Sequence, residues 1–294
     1  MGERCLTPRS MVNPHVINTE QPDEVAEVVK AVFEKFWGDA SFPLLDRVFA
    51  DVTGMFEGSH PGYLAIDMEY HDYEHTLQAT VCQTHLLEGR AFTDDMPTLE
   101  VRDWELCLIA VLLHDTGFLK KTGDNNGSGA KYTFIHEVRS CEFARAYLPQ
   151  IGLTEAEIED VCSAIMCTGP RSKIDEVVFN CEEARVMAHM LVTADYLAQI
   201  SAGDYLEKLP RLYAEFEESF AFNGVPPEER PYTSLRQLLE MTPGFWAGYV
   251  LPVLNDKVGG VYRYLSPRGK SNPYMLAAEA NVTELMRRLE AGEV

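Results

Sequence analysis

Histidines with the spacing of metal ligands are concentrated in one part of this sequence. The chain has eight histidines, and five of them lie between positions 71 and 136. His71 and His75 are four residues apart, so on a helix they share one face. His114 is followed directly by Asp115 at the end of an apolar run. Imidazole nitrogens and carboxylate oxygens are typical ligands of divalent transition metals, so these residues indicate a metal site.

A carboxylate further along the chain leads to the same interpretation. Asp195 lies within the apolar stretch 190–197, and burying an unpaired carboxylate costs several kcal/mol. A metal ion bound by Asp195 together with the clustered histidines and Asp115 would supply the missing countercharge. Adjacent side chains diverge by about 100° on a regular helix. The His-Asp pair, however, stands where its helix is expected to end, so both side chains can turn toward one ion.

Four of these residues follow one another in the order of a known signature. His75, then His114-Asp115, then Asp195 resembles the H…HD…D pattern of the HD-domain superfamily of metal-dependent phosphohydrolases. The segment 112–117 also resembles the apolar-HD-x-G turn of that family. The resemblance implies a helical metal-binding domain with hydrolase activity.

A second segment narrows the resemblance within the superfamily. Tyr70-His71-x-x-x-His75 is similar to the Tyr-His-Asn-x-x-His signature of cyclic-nucleotide phosphodiesterases, with Asp72 in place of the asparagine. This resemblance implies that His71 is the general acid that protonates the leaving oxygen. The alternative is a surface histidine beside Tyr70 with no catalytic role.

The resemblance also implies the ligand set and the mechanism. His75, His114, Asp115 and Asp195 would bind one divalent ion (Mn, Fe, Co, Ni, Zn or Mg). Asp115 would be placed to bridge to a second ion, which makes it a catalytic residue as well as a ligand. A bound ion lowers the pKa of a coordinated water and neutralises phosphoryl charge, as hydrolysis of a phosphoester requires.

Whether a second ion binds is left open by the sequence. His136 matches a position that ligates a second metal in dinuclear relatives, and a substrate contact or simple packing are the alternatives. Those relatives usually carry a further ligand histidine at the end of the next helix, where this chain has Cys167-Thr168. We therefore expect one tight metal site and a weaker second one.

Four cationic residues near the motif are candidates for contacts to a substrate phosphate. They are Lys120, Lys121, Lys131 and Arg139, chosen from their positions alone. The leading hypothesis is a metal-dependent phosphohydrolase that acts on a small phosphoester, a nucleotide or a cyclic nucleotide. One alternative is a sensor or scaffold whose metal site is vestigial. The other is a metal-dependent oxygenase, which the incomplete second site disfavours.

The chain is strongly acidic, and this limits its partners. It has 25 basic and 46 acidic residues, a formal net charge of −21. Such a surface repels nucleic-acid phosphates and anionic lipids, so we expect neither as a general partner. The longest apolar run, 106–113, is far shorter than the ~20 residues that span a bilayer. Seven cysteines without a Cys-x-x-Cys pair indicate reduced thiols and a cytoplasmic protein, and oligomerisation is left open.

Helical periodicity through most of the chain predicts an all-α fold. Helices are expected at about 23–37, 73–89, 103–114, 136–147, 154–166, 182–200, 205–220, 234–240, 245–253 and 275–289. Asp103 is predicted to be an N-cap, and the acidic run 215–218 is interpreted as a solvated helix face. The family resemblance covers about residues 70–200 and implies an HD-domain helical bundle there. Residues 1–69 would form an N-terminal helical extension and residues 201–294 C-terminal helices, both packed on that bundle.

Overall fold

The regular structure of the described residues is helical throughout. The computed structural model describes residues 17–38, 42–266 and 270–293. Within these ranges there is no strand, and an isolated antiparallel bridge joins Tyr63 to Lys121. Ten α-helices are present in this part of the chain: α1 (Pro22–Trp37), α2 (Phe42–Phe56), α3 (Tyr73–Arg90), α4 (Val101–Leu113), α5 (His136–Tyr147), α6 (Glu155–Ile165), α7 (Glu182–Ser201), α8 (Tyr205–Phe222), α9 (Leu235–Phe245) and α10 (Pro273–Ala291). The predicted all-α fold class is confirmed.

Shorter helical turns connect and extend these helices. Turns of 3₁₀ type lie at Thr116–Phe118, Gly129–Tyr132, Leu148–Ile151, Ile174–Glu176, Pro227–Glu229 and Val261–Leu265. Two π-helical turns, Trp246–Val250 and Val253–Lys257, follow α9 without a break in helical backbone. The separate helix predicted at 245–253 is therefore a continuation of α9.

Three helices without a polar face form the centre of the molecule. α3, α4 and α7 pack against one another. Every residue of α4 from 104 to 113 is buried, and so is every residue of α7 from 187 to 198. A helix that is apolar on most of its surface belongs in the interior. The polar side chains that these helices bury therefore need partners inside the protein.

The flanking helices pack on this centre. α1 lies against α3, α2 against α4, and α10 against α7. The ring of Phe33 on α1 contacts Trp104 on α4 edge to face, with centroids 6.2 Å apart. On the other side, the amide of Asn281 on α10 donates to the carbonyls of Ile200 and Ala202, each at 2.8 Å, and so covers the C-terminal end of α7.

One local prediction is wrong, and one helix was not predicted individually. The segment of α2 was expected to be helical only as part of the N-terminal extension, without bounds of its own. Asp103 is not the N-cap of α4; the N-cap is Glu100, and Asp103 is the third helical residue, whose carboxylate accepts from the Glu100 amide at 2.7 Å. Residues 1–16 of the predicted N-terminal extension lie outside the described residues.

No helix in the described ranges combines the length and the apolar character that crossing a membrane demands.

Candidate metal centre

His75 is placed by the start of α3. Asp72 is the N-cap of this helix, and its carboxylate accepts a hydrogen bond from the backbone N–H of His75 at 2.9 Å. Aspartate and asparagine cap helices almost equally well, so the departure from the phosphodiesterase-like motif at position 72 preserves the local structure. The cap fixes the first turn of α3 and directs the His75 ring into the interior, where the residue is 2% exposed.

His114 and Asp115 stand at the point where α4 ends. His114 keeps helical dihedrals (φ −58°, ψ −33°), whereas Asp115 departs from them (φ −104°, ψ 5°) and leads into the 3₁₀ turn Thr116–Phe118. This change of backbone direction brings the two adjacent side chains together, with 3.3 Å between His114 Nε2 and Asp115 Oδ2. Both residues are buried.

Four side-chain atoms from three helix regions converge on one point. His75 Nε2 lies 3.4 Å from Asp115 Oδ2 and 3.2 Å from Asp195 Oδ1. His114 Nε2 lies 3.8 Å from the same Asp195 oxygen. Ligand atoms about 2.1 Å from an ion are separated by about 3.0 Å at right angles and about 3.4 Å at the tetrahedral angle. The spacing fits a shared cation, and His75, His114 and Asp195 in particular form a group that could hold a metal ion.

The hydrogen bond of His114 leaves its second ring nitrogen facing the carboxylates. Its Nδ1 lies 2.7 Å from the carbonyl of Val111, which can only accept, so Nδ1 carries a proton. Nε2 is therefore the ring atom that could serve as a metal ligand, and it faces the carboxylate oxygens. Among the described residues, neither His114 Nε2 nor Asp115 Oδ2 has a hydrogen-bond partner. A cation between these atoms would satisfy both.

The two carboxylates are held in their charged form. Burial alone would raise the pKa of Asp115, but the imidazoles of His114 and His75 outweigh it and lower this pKa to about 2. The same balance lowers the pKa of Asp195, for which burial is opposed by the hydrogen bond to His75 and the charge of His114. The cluster therefore offers two anionic oxygens at neutral pH.

His71 lies beside this cluster and pairs with a carboxylate. Its Nδ1 is 2.7 Å from Glu215 Oε2, and the other oxygen of Glu215 accepts from the backbone N–H groups of Tyr70 at 2.7 Å and Glu69 at 3.0 Å. Burial lowers the pKa of His71, but the charge and hydrogen bond of Glu215 outweigh it and raise this pKa to about 9. His71 is therefore an imidazolium at neutral pH.

His136 faces the cluster from the start of α5. Its Nδ1 lies 2.9 Å from the carbonyl of Thr133 and is protonated for that reason, so the Nε2 lone pair faces Asp115 Oδ1 at 3.8 Å. Phe118 stacks between the rings of His71 and His136, with centroid distances of 4.8 and 4.3 Å. Burial raises the pKa of Cys167 to about 12, and a protonated thiol is a poor metal ligand.

Three of the four cationic candidates have partners inside the protein. Lys120 pairs with Asp67 at 2.6 Å, and Lys131 pairs with Asp124. Arg139 donates to the carbonyls of Gly117 and Leu119 at 2.6 and 2.8 Å, which fixes the turn after the His-Asp pair. Lys121, the fourth candidate, is exposed.

Sequence reasoning missed two residues at the site. Glu215 was interpreted as part of a solvated face, and this is wrong: the residue is 7% exposed. The spacing of Leu212, Glu215 and Ser219 is that of one helix stripe, which is the signal that could have placed it inward. Gln199, one turn after Asp195 on α7, was also missed; its amide nitrogen lies 2.7 Å from Asp195 Oδ1.

Comparisons with known proteins do not assign this chain to a family. A scan against protein-family models finds no match, and a search of curated proteins finds none either. Functional interpretation therefore rests on the motif residues and on the geometry described above.

Proposed function

We propose that this chain is a metal-dependent phosphohydrolase of the HD-domain type that cleaves a small phosphoester, a nucleotide or a cyclic nucleotide. The observation that carries the proposal is an imidazolium beside a cluster of metal-ligand atoms. His71 is charged by Glu215, and its ring lies edge to face with that of His75, centroids 6.0 Å apart. A proton donor next to a metal site is the combination that ester hydrolysis uses.

The donor set fits a divalent cation. His75, His114, Asp115 and Asp195 would hold it, since they supply two neutral nitrogens and two charged oxygens at suitable separations. When bound, a divalent ion lowers the pKa of water and neutralises phosphoryl charge. The mixed nitrogen and oxygen ligands favour Mn, Fe, Co, Ni or Zn over Mg.

His71 would supply the proton for the leaving oxygen. With Nδ1 donating to Glu215, the Nε2–H remains available for a substrate. Glu215 keeps the ring charged and, through the backbone of Tyr70, keeps it in place. After transfer, neutral His71 would regain a proton from solvent, to which 17% of its side chain is exposed.

A screen of substrates against metal-loaded protein tests the proposal. The full chain is stripped with chelator and reloaded separately with Mn²⁺, Co²⁺, Mg²⁺ or Fe²⁺, then offered nucleotides, cyclic nucleotides and nitrophenyl phosphoesters. We expect hydrolysis of at least one class, dependent on the metal, and its loss in His114→Ala. A stable, metal-loaded protein that cleaves none of these phosphoesters would refute the proposal.

The burial of the ligands favours a second candidate, a scaffold whose metal is structural. His75, His114, Asp115 and Asp195 are between 1% and 7% exposed. In such a protein, metal would raise the melting temperature without any turnover. The charged His71–Glu215 pair favours the enzyme, because a structural metal site has no use for a proton donor. The oxygenase alternative would need a second iron, for which His136 and Asp115 are the candidate ligands among the described residues.

A further inference from the structure

The carboxamide of Gln199 lies among the metal-ligand atoms, although the H…HD…D pattern does not include it. Its Nε2 is 2.7 Å from Asp195 Oδ1 and 3.1 Å from His75 Nε2. Its Oε1 accepts a hydrogen bond from the Tyr70 hydroxyl at 2.9 Å. Gln199 follows Asp195 by four residues on α7, so the two side chains project from one face of the helix. The amide thus contacts two of the four atoms that would bind a cation.

Without a cation, only one orientation of this amide is compatible with its neighbours. An N–H group of the amide can satisfy the carboxylate oxygen of Asp195, which can only accept. The reverse orientation would place Oε1 against Asp195 Oδ1, and two acceptors at hydrogen-bond distance repel each other. The amide nitrogen therefore points toward the cluster.

A cation at the cluster reverses this preference. The lone pairs of His75 and Asp195 would then be engaged by the metal, and the N–H groups of Gln199 would be repelled by its charge. The carbonyl oxygen, turned inward, would instead be attracted as a ligand. The Tyr70 hydroxyl can accept from Nε2 as readily as it donates to Oε1, so the same partner serves both orientations.

A small cavity beside the amide provides space for the rotation. Gln199, His75 and Tyr70 line it, together with Gln78 and Lys208. Rotation about the terminal bond of Gln199 exchanges nitrogen and oxygen without moving the helix backbone. The amide can therefore turn over within the packed interior.

We propose that Gln199 is a fifth ligand of the metal site and that its carboxamide turns over when the cation binds. Its Oε1 would join the four ligands of the H…HD…D pattern, and Tyr70 would hold the amide in either orientation. This inference rests on the metal site that the proposed function requires, and not on phosphoester hydrolysis itself.

Titration of the chelator-treated full chain with Mn²⁺, with free Mn²⁺ measured by electron paramagnetic resonance, tests this assignment. Gln199→Leu keeps the volume but removes the oxygen, and we expect Mn²⁺ affinity to fall about tenfold or more. Gln199→Glu offers an oxygen in any orientation and should bind at least as tightly as the wild type. The matched control is Gln78→Leu, which alters the same cavity but not the ligand atoms, and it should leave the affinity unchanged.

The outcomes separate this inference from the proposed function. Unchanged or tighter Mn²⁺ binding by Gln199→Leu, or weaker binding by Gln199→Glu, would overturn the assignment of Gln199. If the leucine variant does not fold, the glutamate variant decides alone. Metal affinity that depends on Gln199 in a protein without phosphoesterase activity would support the fifth ligand and refute the hydrolase. A wild-type chain that binds no Mn²⁺ would refute both.

Discussion

At the scale of single residues, the positive charge of His71 makes this side chain a potential proton donor. A neutral imidazole at this position could act as a base or a ligand, whereas the Glu215 pair makes it an acid. His114 and His136 differ from it because each donates its Nδ1 proton to a backbone carbonyl and turns Nε2 toward the carboxylates. Hydrogen-bond partners thus divide the histidines into a candidate proton donor and candidate metal ligands.

Replacing His71 by alanine separates catalysis from metal binding. We expect kcat to fall by about 10²–10⁴-fold, the usual contribution of a general acid, while the metal content of the purified protein stays that of the wild type. The loss should be smaller for a nitrophenyl ester, because its leaving group needs no proton. Loss of metal from the variant would instead make His71 a ligand, and unchanged turnover on every substrate would remove it from the mechanism.

The pair with Glu215 predicts a pH dependence. Only protonated His71 can donate, so activity should be retained below its pKa and fall as the pH rises through about 9. In Glu215→Gln the largest contribution that raises this pKa is gone, while burial still lowers it and the charges of Asp115 and Asp195 still raise it, so the decline should begin at lower pH than in the wild type. The measurement is the pH profile of kcat for the two proteins at equal metal loading. Superimposable profiles would show that His71 is not the acid.

Glu215 also shows where residue-scale prediction from sequence stops. The pairing joins positions that are 144 residues apart, and no local pattern at 71 specifies which carboxylate will meet it. The candidate ligands His75, His114, Asp115 and Asp195 could be selected from sequence because a motif lists them in order. Residues that position a ligand or an acid, as Glu215 does for His71, belong to no such motif. They can be identified only from the three-dimensional structure.

At the scale of elements, the turn after α4 is fixed by α5. The Ser140 hydroxyl donates to the carbonyl of His114 at 2.6 Å and accepts from the N–H of Gly117 at 2.8 Å. Arg139, one residue earlier on α5, holds the carbonyl of Gly117. The irregular backbone that brings His114 and Asp115 together is therefore held by hydrogen bonds to a neighbouring helix.

Gly117 is required by this close approach. A β-carbon at Gly117 would lie 1.9 Å from the backbone carbonyl oxygen of His136, so Gly117→Ala must push the turn away from α5. We expect a loss of about 1–3 kcal/mol in the free energy of unfolding, measured by urea denaturation, and weaker metal binding. Gly203→Ala is the matched control, because nothing lies within 4 Å of its β-carbon position. Equal stability of the two variants would contradict the described packing.

Helical periodicity and turn residues predict most of the helices, with errors at two places. The start of α5 at His136 is as predicted, and α6 begins at Glu155, one residue after its predicted start. α2 was missed, although its buried residues Leu45, Val48, Phe49 and Val52 have helical spacing. The N-terminus of α4 was misplaced because Asp103 takes part in a capping box from the third position, and a lone aspartate cannot distinguish that role from an N-cap.

At the scale of the whole molecule, the flanking helices belong to the same packed body as the candidate metal site. The buried His85 on α3 lies 2.9 Å from the Tyr274 hydroxyl of α10, and burial lowers the pKa of this histidine to about 4. Trp104 of α4 contacts the rings of Phe33 and Trp37 on α1. Separation of either flank from the central helices would expose apolar surface of those helices.

We therefore expect the chain to unfold in one cooperative step. Tryptophans report from both ends, with Trp37 and Trp104 at the N-terminal side and Trp246 after α9. Urea unfolding followed by fluorescence of Trp246→Phe and of a Trp37→Phe/Trp104→Phe double variant should give coincident transitions with far-UV circular dichroism. Transitions at different urea concentrations, or a stable proteolytic fragment confined to residues 70–200, would show that the flanks fold separately.

The most direct test of the account is to locate the metal. Crystals of the full chain grown with Mn²⁺ and measured at the manganese absorption edge would show anomalous density at each ion. We predict one strong peak among His75 Nε2, His114 Nε2, Asp115 Oδ2 and Asp195 Oδ1, absent in Asp115→Ala, with a weaker second peak toward His136 only at high Mn²⁺ or with phosphate present. No peak among these four atoms in the wild type, or an undiminished one in the Asp115 variant, would contradict the assignment of the metal centre.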